Sequence, residues 1–425
     1  MNSRISTLRV LATIVLVCAL GAGSASAAVV ISSGGAGDGK WSTPGNWQGG
    51  EPPQNDDAVV LMDGGIVPTN VDIADLDLNY VQFSNVIQNL TLIGNDLKVN
   101  TLRNRHTNNF VNNNIIMKSS AAWDVNSPFR LTVNGSIGAT GDAISLAANN
   151  SGTLVLAGTN TWAGGLKANQ CTVVMYSDAS LGRVPPTNVP AFIDNGAGMV
   201  FQSTGGFNRV VIHPNRGLRI TGLKTITAGA NVKLIMNQRI IENAGGRAIN
   251  FVNSVGGVYE FGGSNTFTGA VGNNTASWLV RMKHPWALGQ GTNENVALMT
   301  QGTYDLMGNS LPTRRIRGIN GGGWPGVGCI MNSIPGTTSV ISNGFFNSNN
   351  NGGWFGRGDF VMFGTLDFNS TGTTQPLKNG PGRLVLKNQV CLTNRVNVVN
   401  GTLVWDYSDA IQDKLPDGQT LRLEG

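Results

Sequence analysis

Leu154-Val155-Leu156-Ala157-Gly158-Thr159-Asn160-Thr161-Trp162-Ala163-Gly164 and Tyr259-Glu260-Phe261-Gly262-Gly263-Ser264-Asn265-Thr266-Phe267-Thr268-Gly269 align without a gap. The glycine, the Asn-Thr pair, the aromatic and the final glycine coincide. A short motif of alternating apolar residues with Gly and Asn, returning about a hundred residues later, is the mark of a stacked β-architecture. It points to an elongated scaffold rather than to a compact catalytic domain.

The rest of the chain agrees. Of its 425 residues 58 are glycine, about twice the usual share. Asparagine is abundant, with the runs Asn112-Asn113-Asn114 and Asn349-Asn350-Asn351. Both residues tolerate the positive φ of tight turns, so many turns between short strands are expected. No stretch of a dozen residues combines an i, i+3, i+4, i+7 apolar pattern with freedom from glycine. Short runs such as Asn89-Leu90-Thr91-Leu92, Leu97-Lys98-Val99-Asn100, Val232-Lys233-Leu234, Leu154-Val155-Leu156 and Leu384-Val385-Leu386 read as strands.

Context around the motif recurs too. Tyr176-Ser177-Asp178-Ala179 returns as Tyr407-Ser408-Asp409-Ala410, and Ser180-Leu181-Gly182 is echoed by Ala287-Leu288-Gly289. Gly382-Arg383-Leu384-Val385-Leu386 matches Gly152-Thr153-Leu154-Val155-Leu156. Residues 151–425 thus form about three degenerate supra-repeats, beginning near Gly152, Gly257 and Gly382. Each would hold several coils of roughly 20–30 residues. Their unequal spacing calls for insertions. Residues 28–150 are expected to supply an N-terminal cap and the first coils. Trp41 and Trp47, in a Pro- and Gly-rich stretch, suit a lid over the open core. The competing reading makes them a platform for stacking sugars.

The N-terminus carries Arg4 and Arg9, an apolar run from Val10 to Leu20 and the small-residue site Ala25-Ser26-Ala27. This is the pattern of a secretory signal peptide over residues 1–27, cut after Ala27. No second long apolar run follows, so no membrane-spanning helix is expected in the mature chain.

Charged residues are only 12 % of the chain. The leader removes two arginines, leaving 27 basic against 24 acidic groups. Nucleic acid is not an expected partner, since its recognition needs clustered Lys and Arg. Cys171, Cys329 and Cys391 are far apart and lack metal spacing, so isolated buried thiols are expected, with one disulfide left open.

At the motif the chain resembles the autotransporter-associated β-strand repeat family, also called passenger-associated transport repeats. Its unit reads approximately L-x-L-x-G-x-N-T-Y-x-G-G-T, followed by a strand and A-L-G. Leu154, Leu156, Gly158, Asn160, Thr161, Trp162, Gly164 and Gly165 fill it, as do Tyr259, Phe261, Gly263, Asn265, Thr266, Phe267 and Gly269. Ala270 replaces the unit's last glycine, and the copy near Gly382 keeps only its strand. The resemblance covers about a quarter of the chain. It implies an all-β, right-handed parallel β-helix (β-solenoid), bacterial secretion and an extracellular or cell-surface role, and it does not imply catalysis.

Candidates for chemistry are sparse. Asp72, Asp75 and Asp77 are the best acidic cluster, a weak Ca²⁺ candidate against the plainer reading of a solvated strand face. Asp75 and Asp77 are expected to share that face. Otherwise no cofactor is expected. His106, His213 and His284 have no ligand partners at useful spacing, and no hydrolase or phosphate-loop motif occurs. Asp359 and Asp367 near Arg357 could form the carboxylate pair of a glycan-active enzyme. Three readings result: a non-catalytic, adhesin-like surface solenoid; a polysaccharide lyase or glycosidase on the same fold; and a carbohydrate-binding protein using Trp41, Trp47, Trp324 or Trp354. The expected partners are extracellular polysaccharide or cell-surface components.

Overall fold

The computed structural model describes residues 27–203, 205–222, 224–253, 257–273, 278–291, 298–300, 302–314, 329–347, 353–367, 377–392, 395–406, 408 and 420–423. The leader apart from Ala27 lies outside this set, as does Trp324.

The chain is all-β: apart from two short 3₁₀ turns, Pro44–Asn46 and Asp178–Leu181, the named elements are strands. They stack in parallel into a β-solenoid. One sheet of 12 strands runs from Val29–Ile31 to Ile240–Glu242. A second, of 11, runs from Asn70–Val71 to Leu298–Thr300. A third, of 10, runs from Asn208–Ile212 to Thr420–Leu423. A fourth, of four, covers Thr338–Asn347 to Thr402–Asp406.

Register gives the size of a coil. Along the second sheet Leu131 pairs with Leu154, Leu154 with Val173, Val173 with Met199, Met199 with Ile226 and Ile226 with Phe251. The steps are 23, 19, 26, 27 and 25 residues. A strand this short cannot bury its inward face alone, so its inward residues need the coils above and below. The inward column Val111, Val133, Leu156, Met175, Phe201, Ala228 supplies one buried apolar side chain per coil. Each is worth roughly 1.5–3 kcal/mol of burial for the larger members. Outside, amides stack in the same rhythm: Asn134 Nδ2 donates to Asn112 Oδ1 at 2.8 Å, and Asn169 Nδ2 to Asn149 Oδ1 at 2.6 Å.

The three supra-repeats do not begin on one face. Thr153–Leu156 lies in the second sheet, Val258–Phe261 in the third and Arg383–Leu392 in the fourth. The third sheet enters at Asn208–Ile212, between the first two copies.

The N-terminal cap closes both starting edges. We label its strands β1 (Val29–Ile31), β2 (Ala58–Leu61), β3 (Asn70–Val71) and β4 (Asp77–Phe83). Ser32 bridges antiparallel to Trp47, and Gln48 N donates to Ile31 O at 2.8 Å, so this segment covers the free edge of β1. Lys40 bridges parallel to Asn70, and Trp41 N donates to Asn70 O at 3.0 Å, which covers β3. Trp41 and Trp47 meet edge to face, 5.6 Å between ring centroids, and are 0 % and 2 % exposed. Trp41 Nε1 donates to Pro68 O at 3.2 Å and Trp47 Nε1 to Trp41 O at 2.7 Å. Unpaired edges and an open core end are thereby removed together.

Candidate functional site

The repeated Asn-Thr-aromatic stations are the most specific constructions in the molecule, and they are built alike. Asn160 Oδ1 accepts from Ile137 N at 2.8 Å, and its Nδ2 donates to Ser180 O at 2.8 Å. Asn265 Oδ1 accepts from Ile240 N at 2.7 Å, and its Nδ2 donates to Ala287 O at 2.6 Å. One buried side chain therefore ties its own coil to the coil before and the coil after. Thr161 N and Thr266 N add bonds to Ile137 O at 2.8 Å and Ile240 O at 3.0 Å. Trp162 and Phe267 fill the core beside them.

Glycine at the stations serves close approach. A Cβ on Gly164 would stand 2.4 Å from the Ile144 carbonyl carbon, and one on Gly269 2.2 Å from that of Arg247. Gly158 and Gly263 back onto the carbonyl oxygens of Gly135 and Gln238 at 2.2 and 2.1 Å. None of these four has a positive φ. The turn chemistry expected of the motif belongs instead to its companions Gly182 and Gly289, at φ +89° and +83°.

Two arginines that the motif does not announce complete the stations. Arg216 is wholly buried; its guanidinium donates to the carbonyls of Gly182 at 2.6 Å and Leu181 at 3.2 Å and to Asp178 Oδ1 at 2.9 Å. Arg314 donates to Gly269 O at 2.7 Å and Phe267 O at 3.1 Å and lies over the Phe267 ring. Burial lowers the proton affinity of both, to about 10 for Arg314, with Asp178 opposing at Arg216 and Tyr304 at Arg314.

The other buried polar groups are also cross-braces. Tyr259 Oη donates to Ile226 O at 3.0 Å and accepts from Ala228 N at 2.8 Å; Tyr304 Oη donates to Val271 O at 2.7 Å. Both hydroxyls reach from the third sheet to the second sheet and its flank, and burial raises both pKa values well above the ordinary 10. On the third sheet's outer face Glu260 meets Lys233 at 2.6 Å and Lys283 at 3.1 Å. Burial opposes its ionisation, but the two lysines outweigh burial and hold it below the ordinary range. Lys378 Nζ is bonded to Gly380 O at 2.7 Å and Asn400 O at 3.2 Å; burial pushes it down to about 8 against the pull of Asp359.

The three aspartates do not converge. Asp72 accepts from Ser42 N at 2.8 Å and Ser42 Oγ at 2.5 Å. Burial opposes its ionisation, yet the Ser42 bonds prevail and keep it low. Asp75 sits in a turn at φ +56°, 3.7 Å from Lys98, and does not share the strand face of Asp77. Asp77 opens β4 and pairs with Lys118. Among the described residues no three His, Cys, Asp or Glu groups stand together as a metal set.

The described side chains among the remaining candidates are engaged within the fold. Buried Trp41, Trp47 and Trp354 offer no ring face to a sugar. His106 Nδ1 lies 2.6 Å from Val86 O, while His213 and His284 accept from Asn215 N and Trp286 N, each at 3.1 Å. Asp359 and Asp367 bound one nine-residue strand. At ~3.3 Å per residue a straight strand of this length would span at most roughly 26 Å, and this one is broken by a register shift between Phe363 and Gly364, so the two residues stand at opposite ends of an irregular strand. Asp359 Oδ1 instead accepts from Arg383 N at 2.7 Å. Cys171 is a buried thiol that burial pushes up to about 12; Cys329 is buried as well. Among the described residues no helix is long and apolar enough to cross a membrane.

No family model, no curated protein and no solved structure matches the chain.

Proposed function

We propose that the chain is an exported, non-catalytic β-solenoid that acts as a structural or adhesin-like surface protein. The observation that carries this reading is the use of the motif. Asn160, Asn265, their aromatics, their glycines and the buried guanidiniums of Arg216 and Arg314 are all engaged in joining coil to coil. A sequence that repeats for the sake of stacking is a sequence selected for a rod, and a rod displays its outer faces at a distance from its base. The signal-peptide pattern and the family resemblance supply the compartment.

The test is expression of the full chain, leader included, in a bacterial host. The protein should leave the cytoplasm, resist protease as a folded rod and bind cell-surface or polysaccharide preparations without altering them. Release of new reducing ends or unsaturated sugars from a polysaccharide panel, abolished by one outer-face substitution that leaves folding intact, would overturn the non-catalytic reading. Retention in the cytoplasm would overturn the exported one.

A further inference from the structure

The chain enters the cap at Ala28, one bond beyond the expected leader. Ala28 N donates to Asp57 Oδ1 at 2.9 Å, and Asp57 Oδ2 accepts from Gln54 N at 2.8 Å. Ala58 N returns a bond to Ala28 O at 2.8 Å, and Asn79 N donates to Asp57 O at 2.8 Å. Asp57 is only 7 % exposed. A buried carboxylate is costly without a countercharge, and among the described residues no basic side chain pairs with it. The charged groups nearby are otherwise engaged or of the same sign. Glu51 and Asp56 lie in the same turn region, Lys118 Nζ serves Asp77 on β4 and stands 3.9 Å from Asp56, and Arg103 lies over Tyr80.

The nitrogen that Asp57 holds is the one that leader removal would liberate. Hydrolysis after Ala27 takes up one water, leaves a carboxylate on Ala27 with the departing leader and leaves Ala28 with a free amine, which binds a proton at neutral pH. We propose that Asp57 is the receptor for this α-ammonium group, so that processing replaces a bond from an uncharged amide by an ion pair and fastens the start of β1 to the start of β2 within the cap. The inference rests on the exported reading above. It adds a maturation site: the precursor folds with its cap held by an amide, and the processed chain holds it by a charge.

The experiment uses the full chain secreted with its own leader. Mass spectrometry of the N-terminal peptide identifies the first residue, expected to be Ala28. The same peptide reports acetylation by an N-hydroxysuccinimide ester at pH 7. Pairing with a carboxylate raises an α-amine's pKa, and a rise of about half a unit to one unit slows labelling about three- to tenfold. That slowing should disappear in Asp57→Asn. It should also disappear in a second protein that leaves Asp57 intact but retains Ala27, whose Ala28 nitrogen is an amide. Equal labelling rates in all three proteins would overturn the receptor while leaving export standing. A first residue other than Ala28 would overturn the receptor at its cleavage step, and an uncut leader would overturn export with it.

Discussion

Replacing Asn160 by alanine removes two hydrogen bonds to buried main-chain groups, the Ile137 N–H and the Ser180 carbonyl, on two different coils. Asn160 is 3 % exposed, so little water replaces the lost partners. A buried group left unpaired costs about 1–3 kcal/mol, which puts the variant at about 2–6 kcal/mol. Asn160→Asp keeps an acceptor for Ile137 N but aims a second oxygen at Ser180 O, so it should be no better than alanine near neutral pH. A solenoid unfolds in parts, so the assay is native-state hydrogen exchange resolved by residue. Ile137 and Thr161 amides should lose protection by a hundredfold or more, about 2.8 kcal/mol at 1.4 kcal/mol per tenfold. Ile240 and Thr266 should be unchanged. Asn265→Ala should give the reverse pattern. If Asn160→Ala exchanges like the wild type at Ile137, the amide is not a tie between coils.

Three further outcomes follow from the same packing. Gly164→Ala places a Cβ 2.4 Å from main-chain carbon of the preceding coil, so it should destabilise by about 1–3 kcal/mol as an overpacked site does; Gly205→Ala, which meets nothing within 4 Å, is the control, and thermal unfolding of the pair decides. Tyr259 and Tyr304 keep their protons well above pH 10 in the fold. Their contribution is full below the unfolded-state value near 10 and is lost as pH rises toward the folded-state values; ultraviolet titration should show two of the five tyrosines ionising only with unfolding. Cys171, pushed up to about 12 by burial, should stay unmodified by iodoacetamide at pH 8 in the native protein and react at once in denaturant, as measured by mass spectrometry.

The architecture was legible because its signal is local. Leu154-Val155-Leu156 and Leu384-Val385-Leu386 announce strands, and the Gly and Asn between them announce turns. The role of Asn160 was legible only as turn chemistry, because a side chain that binds coils about twenty residues before and after looks like a turn residue in one dimension. The glycines were misleading for a similar reason: Gly158 and Gly164 are needed for what lies beside them, and no sequence window contains that neighbour. Arg216 and Arg314 left no mark, since a buried guanidinium is made possible by carbonyls from other coils. Asp75 departs from its expected face because the strand starts two residues later than the alternation with Leu76 suggests.

The even register of the second sheet has a consequence for how such a chain reaches its native state. Almost every pairing joins residues 19–27 positions apart, whichever coil it belongs to. The entropy of closing a loop depends on the length of that loop, so each winding costs the same as the one before it. Folding rate follows the sequence separation of contacts more than it follows length, and here the separation does not grow. With the first edges already sealed by Trp41 and Trp47, acquisition of structure resembles growth on a seed. Lengthening the protein by one winding would add time in proportion and would not raise the highest barrier.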